Sequence, residues 1–263
     1  MTKKAIIIAA GRGRRLMPYT DQMPKCLVPI DERTILDIQL AALRTHGVSE
    51  IVIIRGYLGH VLSERDLGPG VRFVDNADWE HNNILESLFC ARDDIHGPLY
   101  LSYSDILFTP GVVRRLAKAA GDICLVIDRG FREIYRGRTE HPLTEAEVAA
   151  LDDDGSVLQV GKRSLPVNLA AGEFIGLAKL SDRGSRWFVD TWTELEEHYR
   201  DRAEEPFQRA LHFRQAYLTD LLQELIARGR RLDPVIIEGS WREIDTVQDL
   251  ERARQMVNTG AWT

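Results

Sequence analysis

Residues Ala5 to Ala10 are apolar without interruption, and the run ends at Gly11 and Gly13. Such a run, closed by glycine, fits a strand buried on both faces, as found inside a helix-covered parallel sheet. Glycine also lets a backbone bend sharply and approach a ligand closely. Arg12, Arg14 and Arg15 follow at once, and Lys25 stands behind Pro24. A buried strand feeding a glycine turn loaded with fixed positive charge predicts a site for phosphate oxygens. The stretch lacks the G-x-x-x-x-G-K-[ST] of a P-loop, and it has no third glycine for the G-x-G-x-x-G dinucleotide fingerprint.

The chain beyond this turn alternates between strand and helix patterns. Thr34 and Asp37 have capping-box spacing, and apolar residues at helical spacing run from Ile35 to Leu43 before Gly47. Strands are predicted at 50–55, 71–75, 98–105 and 123–128, with helices through Leu85 to Phe89 and over 112–120. From Arg129 to Gly155 the periodicity dissolves into a polar, arginine-rich excursion containing Phe131 and Tyr135. Long loops of this kind are uncommon in compact domains and tend to cover binding sites, so 128–156 is expected to be a lid-like insertion. Strands at 157–162, 172–178 and 235–238, and helices over 187–199, 217–225 and from Val247, complete the pattern. No repeat or linker divides the chain, which predicts a single domain over 1–263.

Composition narrows the function classes. With 44% hydrophobic and 28% charged residues the chain reads as globular, and no apolar run approaches the roughly 18 residues that span a membrane. The first strand begins within a few residues of Met1, leaving no room for a signal peptide, so a cytoplasmic protein is expected. The net charge of -6 argues against nucleic acid as a partner. Local basicity at Arg12, Arg14, Arg15 and Lys25 suggests a small anion instead. Cys26, Cys90 and Cys124 are too widely spaced for a metal knuckle or disulfide framework. They read as small buried hydrophobes, with Cys26 beside Lys25 a candidate reactive thiol.

Several side chains qualify for a site. Asp105 ends the strand 98–105, where open α/β sheets hold ligands; it is a candidate metal ligand or else a turn former. Asn82 or Asn83 can cap the following helix, or Asn83 and Ser87 can face a ligand. Lys162 ends one strand and Glu173 begins another, while Asp245 stands just ahead of a helix start.

The A-A-G-x-G-x-R-L followed by P-K-x-L-V-P, over Ala9 to Pro29, resembles the signature of nucleotidyltransferases of the glycosyltransferase-A type. E-F-I-G-L at 173–177 and W-R-E-I-D-T-x-x-D-L at 241–250 resemble the cytidylyltransferases that act on phosphocholine. Y-R-G-R-T-E-H-P-L-T-E-A-E at 135–147 is similar to relatives that activate phosphonates with CTP. This resemblance implies a three-layer α/β/α fold around a mostly parallel mixed sheet. It implies Arg15 and Lys25 as catalytic groups, and Ala9, Ala10, Gly11, Gly13, Arg14, Arg15, Asn83 and Ser87 around the nucleotide. Asp105 and Asp245 become ligands of Mg2+. Lys162 and Glu173 fall on the acceptor side, where Asp128, Arg129 and Tyr135 are further candidates. Relatives usually carry Ser or Thr where this chain has Arg14.

The reaction so implied is attack by a phosphonate or phosphate oxygen on the α-phosphorus of CTP, with pyrophosphate leaving. The nucleophile is already ionised, so no general base is needed, and none of the seven histidines is assigned a part. Positioning and electrostatic stabilisation carry such chemistry. The partners are then CTP and a small phosphonate or phosphocholine-like acceptor, and monomer and homo-oligomer stay open. A sugar-1-phosphate or inositol-phosphate nucleotidyltransferase, a non-catalytic nucleotide-binding regulator and a Rossmann oxidoreductase are the rival readings.

Overall fold

The computed structural model describes residues 2–257. Strand β1 (Lys4–Ala9) is buried along its whole length, and its side chains alternate between two cores. Ala5, Ile7 and Ala9 meet Leu36 and Leu40 of helix α1 (Ile35–Arg44) on one face. Ile6 and Ile8 point to the other face, where the helices introduced below as α3, α6 and α7 pack. This explains the unbroken apolar run: a strand covered on both faces has no side to give to polar residues. Thr34 and Asp37 form the expected capping box at the start of α1, the Thr34 hydroxyl accepting from Asp37 N at 3.1 Å.

The chain continues through β2 (Glu50–Arg55), α2 (Gly59–Ser63), β3 (Val71–Asp75), α3 (Ile84–Phe89), β4 (Leu99–Tyr103) and β5 (Ile106–Phe108). Then come α4 (Pro110–Lys118), β6 (Ile123–Asp128), α5 (Phe131–Tyr135), β7 (Glu147–Leu151), β8 (Val157–Lys162) and β9 (Gly172–Leu180). Last are α6 (Asp182–Tyr199), α7 (Leu218–Ala227), β10 (Asp233–Ile237), β11 (Trp241–Glu243) and α8 (Val247–Val257). The main sheet runs β10-β6-β9-β4-β1-β2-β3. Neighbours are parallel except around β9, which lies antiparallel between β4 and β6, so the sheet is mixed but mostly parallel. Helices on both faces complete three layers. Among the described residues no helix is long and apolar enough to cross a membrane.

Two departures from the sequence reading matter for the site. The strand expected at 98–105 stops at Tyr103; Ser104 and Asp105 form a turn, and β5 leaves in a new direction. β5 pairs antiparallel with β11, with Glu243 opposite Ile106, and Ile244 N donates to Asp105 O at 2.9 Å. These three-residue strands were too short to show periodicity. The second departure is within the excursion 128–156, where the expected aperiodic stretch carries regular elements. Phe131 and Tyr135 are buried in the single-turn α5, and β7 joins β9 through Val148 opposite Glu173. One helical turn and an Ala-rich strand leave little pattern to read.

Asp128, expected on the acceptor side, is a brace instead. Its side chain is fully buried, accepting from Gly130 N and Gly239 N at 2.8 Å and from Trp241 Nε1 at 2.8 Å. The bonds from Gly239 and Trp241 tie β11 and its approach to the end of β6, and the bond from Gly130 fixes the turn that follows β6. Asp128→Ala leaves three buried donors unpaired, so urea unfolding is expected to show a loss of about 3–5 kcal/mol, against about 1–2 kcal/mol for Trp241→Phe, which removes one donor and keeps the acceptor.

Candidate active site

Gly13 adopts a left-handed backbone, φ 66°, and a Cβ there would lie 3.0 Å from Lys25 Cβ and Cδ. The turn therefore needs glycine twice over, for its conformation and for the lysine stem beside it. That stem carries the Lys25 ammonium to two carboxylates, Asp105 Oδ2 at 2.8 Å and Asp245 Oδ1 at 2.5 Å. Asp105 arrives on the turn after β4 and Asp245 just beyond β11. The β5–β11 ladder is what brings residues so distant in sequence together. Leu16, Val28 and Ile30 of the glycine turn's continuation pack with Leu107, Ile244 and Leu250, fixing the loop against that ladder.

Burial alone would favour the neutral amine of Lys25. Asp105 and then Asp245 outweigh it and hold the lysine charged. Burial would likewise raise Asp245, but Lys25, a hydrogen bond from His141 and the charge of Arg15 keep its carboxyl well below the usual range. The Asp245 Oδ2 atom takes both an ion pair from Arg15 and His141 Nδ1 at 2.6 Å. Arg15 Nη1 also lies 3.2 Å from the same His141 nitrogen. The two contacts ask opposite roles of Nδ1, and 2.6 Å to a carboxylate makes it the donor.

His141, which the sequence reading left without a part, is thus in the site. It comes from the aperiodic stretch 136–146, where its only mark is that it lies in the 135–147 segment resembling relatives that activate phosphonates. The stretch is held by Arg138, whose Nη2 donates to Asp249 Oδ2 at 2.8 Å and Glu243 Oε2 at 3.2 Å. Glu243 was also missed, though a signal existed: two residues before Asp245 on an extended strand, it shares the same face.

Arg15, Lys25, Asp105, Glu243 and Asp245 border a cavity of about 430 Å³, with His141 and Arg138 behind them. Ala9, Ala10, Gly11, Gly13, Arg14, Arg15 and Lys25 form its basic side, with Trp79, Asn82, Asn83 and Ser87 as an uncharged wall. Arg14 is exposed at the rim. Arg12 does not line it; its guanidinium lies over the Tyr57 ring, 5.2 Å from the centroid. Asn83 does line it but is occupied as the cap of α3, its Oδ1 accepting from Ile84 N and its Nδ2 donating to Gln215 O. Cys26 also borders the cavity, but burial pushes its thiol up to about 12, which makes it inert rather than reactive. Cys124 is buried, whereas Cys90 is exposed, contrary to the expectation for all three.

The remaining walls are acidic. Glu145, Glu147, Glu173 and Glu243 face the cavity, with Lys162 and Tyr217. Lys162 lies 3.7 Å from Glu145 and over the Tyr217 ring. Glu173 Oε1 accepts from Tyr135 at 2.6 Å, while its Oε2 is buried without a partner among the described residues. Burial, then the neighbouring Glu243, pushes Glu173 well above the carboxylate range. Of the expected acceptor residues, Lys162 and Glu173 reach the cavity, Tyr135 stands behind Glu173, and Asp128 and the exposed Arg129 lie outside it.

Comparison with known proteins finds relatives in sequence and in fold. The profile of the MobA-like NTP transferase domain matches residues 5–242. A CTP:phosphoglutamine cytidylyltransferase of Campylobacter jejuni is 30% identical over 94% of this chain and 97% of its own length. A 2-aminoethylphosphonate cytidylyltransferase of Lancefieldella rimae is 28% identical over 72% of this chain and 73% of its own. Among solved structures, the CTP:phosphocholine cytidylyltransferase of Streptococcus pneumoniae superposes with a TM-score of 0.76, at 23% identity, covering 98% of this chain and all of that one.

The acidic wall also predicts a pH dependence. Burial pushes Glu147 up to about 7, against the opposing effects of Lys162 and the Tyr103 hydrogen bond. Its unfolded value is roughly 4.3, so between these limits the folded state holds a proton that the unfolded chain has lost. Stability contributed by this group is therefore present at low pH and lost as pH rises through about 7. In urea titrations from pH 4.5 to 8, Glu147→Gln is expected to match the parent at the acid end and exceed it by roughly 3–4 kcal/mol at the basic end.

Proposed function

This chain belongs to the MobA-like NTP transferase domain family, and on that premise we propose that it transfers CMP from CTP to a small phosphonate or phosphate ester carrying a cationic group. Nucleotidyl transfer is the family's chemistry; the nucleotide and the acceptor are read from the site and from the relatives' substrates. The observation that carries the reading is Lys25 Nζ held between Asp105 and Asp245 at the mouth of a basic glycine turn. Such a centre neutralises and positions phosphate oxygens and offers no activated nucleophile of its own.

The acceptor oxygen attacks the α-phosphorus, the bond to the bridging oxygen breaks, and pyrophosphate leaves with the electron pair. The acceptor is an anion at neutral pH, so no proton has to be removed first. Arg15, half exposed and lying on Asp245 in the free protein, exchanges that carboxylate for the incoming triphosphate. Arg14 at the rim adds a second cation in place of a neutral hydroxyl. Lys25 stays anchored by Asp105 and meets the charge that develops as the phosphorus becomes five-coordinate.

The chemistry of the donor set fits a hard divalent cation. Asp105 Oδ1 is buried and without a partner among the described residues, and the departure of Arg15 leaves Asp245 Oδ2 with His141 alone and a second lone pair open. Asp105 and Asp245 would hold magnesium, with His141 steadying the second of them. When bound, the ion would supply charge neutralisation on the triphosphate, through oxygen ligands of the kind magnesium prefers.

Four acidic side chains line the other half of the cavity with Lys162, and a cation entering there would offset the burial that holds Glu147 and Glu173 protonated. This supports an aminoalkyl phosphonate or a phosphocholine-like acceptor, with Lys162 near the acceptor's phosphorus group. Pyrophosphate release with CTP is expected for 2-aminoethylphosphonate or phosphocholine, at least roughly tenfold above that for an alkyl phosphonate lacking the nitrogen. Removing divalent ions with EDTA should abolish it, and Asp105→Asn should lower kcat by about 100-fold or more with the fold intact. A sugar 1-phosphate turning over best would overturn the acceptor assignment.

A further inference from the structure

Asn76 follows β3, is 2% exposed and does not border the cavity. Its amide uses all four of its hydrogen-bonding positions. Oδ1 accepts from the backbone N–H of Asp78 at 3.1 Å and from Asn82 Nδ2 at 3.1 Å. Nδ2 donates to Asn82 Oδ1 at 2.9 Å and to Ser87 Oγ at 2.9 Å. A backbone N–H can only donate, so the Asp78 bond decides which end of the Asn76 amide is oxygen. That choice passes outward to the two side chains that do border the cavity.

The Asn82 oxygen is turned towards Asn76, and one of its two amide hydrogens remains for the cavity. Ser87 Oγ has accepted from Asn76, so its hydroxyl hydrogen is left to donate, with only a long 3.5 Å contact to Asn82 Oδ1 to compete. The uncharged wall therefore presents donors, and Asn83 beside it is spent on capping α3. Resting on the reading that this cavity takes a nucleoside triphosphate, we propose that Asn76 is the positioning residue that selects cytosine over uracil by fixing Asn82 and Ser87 as hydrogen-bond donors. Cytosine offers adjacent acceptors, O2 and N3, to such a wall. Uracil places an N–H at position 3, where a donor would meet a donor. An unmatched polar pair of that kind discriminates strongly, because both groups lose their water and gain no bond.

Asn76→Asp tests the relay with little change of shape. One carboxylate oxygen still accepts from Asp78 N–H. The other replaces the donor facing Ser87 and draws the hydroxyl hydrogen inward, so Ser87 turns a lone pair to the cavity. Binding is measured by calorimetry with CTP and with UTP, in magnesium and without acceptor, so that no turnover intervenes. The parent should bind CTP at least roughly tenfold more tightly than UTP. In Asn76→Asp that ratio should fall by about tenfold or more, through weaker CTP and stronger UTP binding. Ser87→Ala, which removes one donor and leaves the buried amide intact, should narrow the ratio without strengthening UTP.

A merely structural Asn76 would weaken both nucleotides alike, and an unchanged ratio in Asn76→Asp would overturn the proposal. If that variant does not fold, an unchanged ratio in Ser87→Ala does the same. A parent that binds CTP and UTP equally also overturns it while leaving nucleotide binding intact. A parent that binds neither removes the reading on which it rests.

Discussion

A buried ammonium between two carboxylates is the interaction on which this structure turns. Lys25 would not be charged at its depth without Asp105 and Asp245, and the two aspartates would repel one another without Lys25. Isolated buried charges are costly, and a matched group is tolerated only with good geometry. The fold spends several elements on that geometry. Gly13 makes room for the lysine stem, the β5–β11 ladder aligns the two acidic turns, and Asp128 pins β11 through Trp241. The arrangement is also poised for exchange, because each contact that Arg15 makes in the free protein can be replaced by a phosphate oxygen.

Around this centre the cavity is electrically divided. One side is basic backbone turn and arginine; the other carries four glutamates, of which burial makes Glu147, Glu173 and Glu243 unfavourable places for negative charge while Arg163 and Lys162 favour it on Glu145. That division is what the proposed pair of substrates, a triphosphate and a cationic phosphorus ester, would call for. The stretch 136–146 contributes to the wall itself. Arg138 and His141 tie it to Asp249, Glu243 and Asp245, and its Glu145 joins Glu147, Glu173 and Glu243 from the neighbouring strands in the acidic wall.

Much of this was legible beforehand. The buried β1, the capping box at Thr34, and the strands 50–55, 71–75, 123–128 and 157–162 follow from hydrophobic pattern and turn chemistry, because two covered sheet faces impose that pattern. Lys25, Asp105 and Asp245 were singled out by motif resemblance, and the structure brings them together. What escaped is instructive. β5 and β11 are three residues each, and their pairing spans over a hundred positions, so no local signal records it. His141 sits in an irregular stretch where burial comes from tertiary contacts. Asp128 looked like a strand-end ligand, but its oxygens were needed by backbone amides that only the fold reveals. Asn83 was read both as cap and as ligand contact; it caps α3 and also lines the cavity, beside Asn82 and Ser87.

The central claim is that Lys25 and its aspartates form the centre at which CMP changes hands. Phosphorus NMR of the protein with CTP, magnesium and 2-aminoethylphosphonate reports the products directly. The account predicts inorganic pyrophosphate together with a pair of mutually coupled resonances from a new phosphonate–phosphate anhydride, and unchanged CTP when Lys25→Met is used instead. Formation of CDP and orthophosphate, or equal conversion by Lys25→Met, would contradict it.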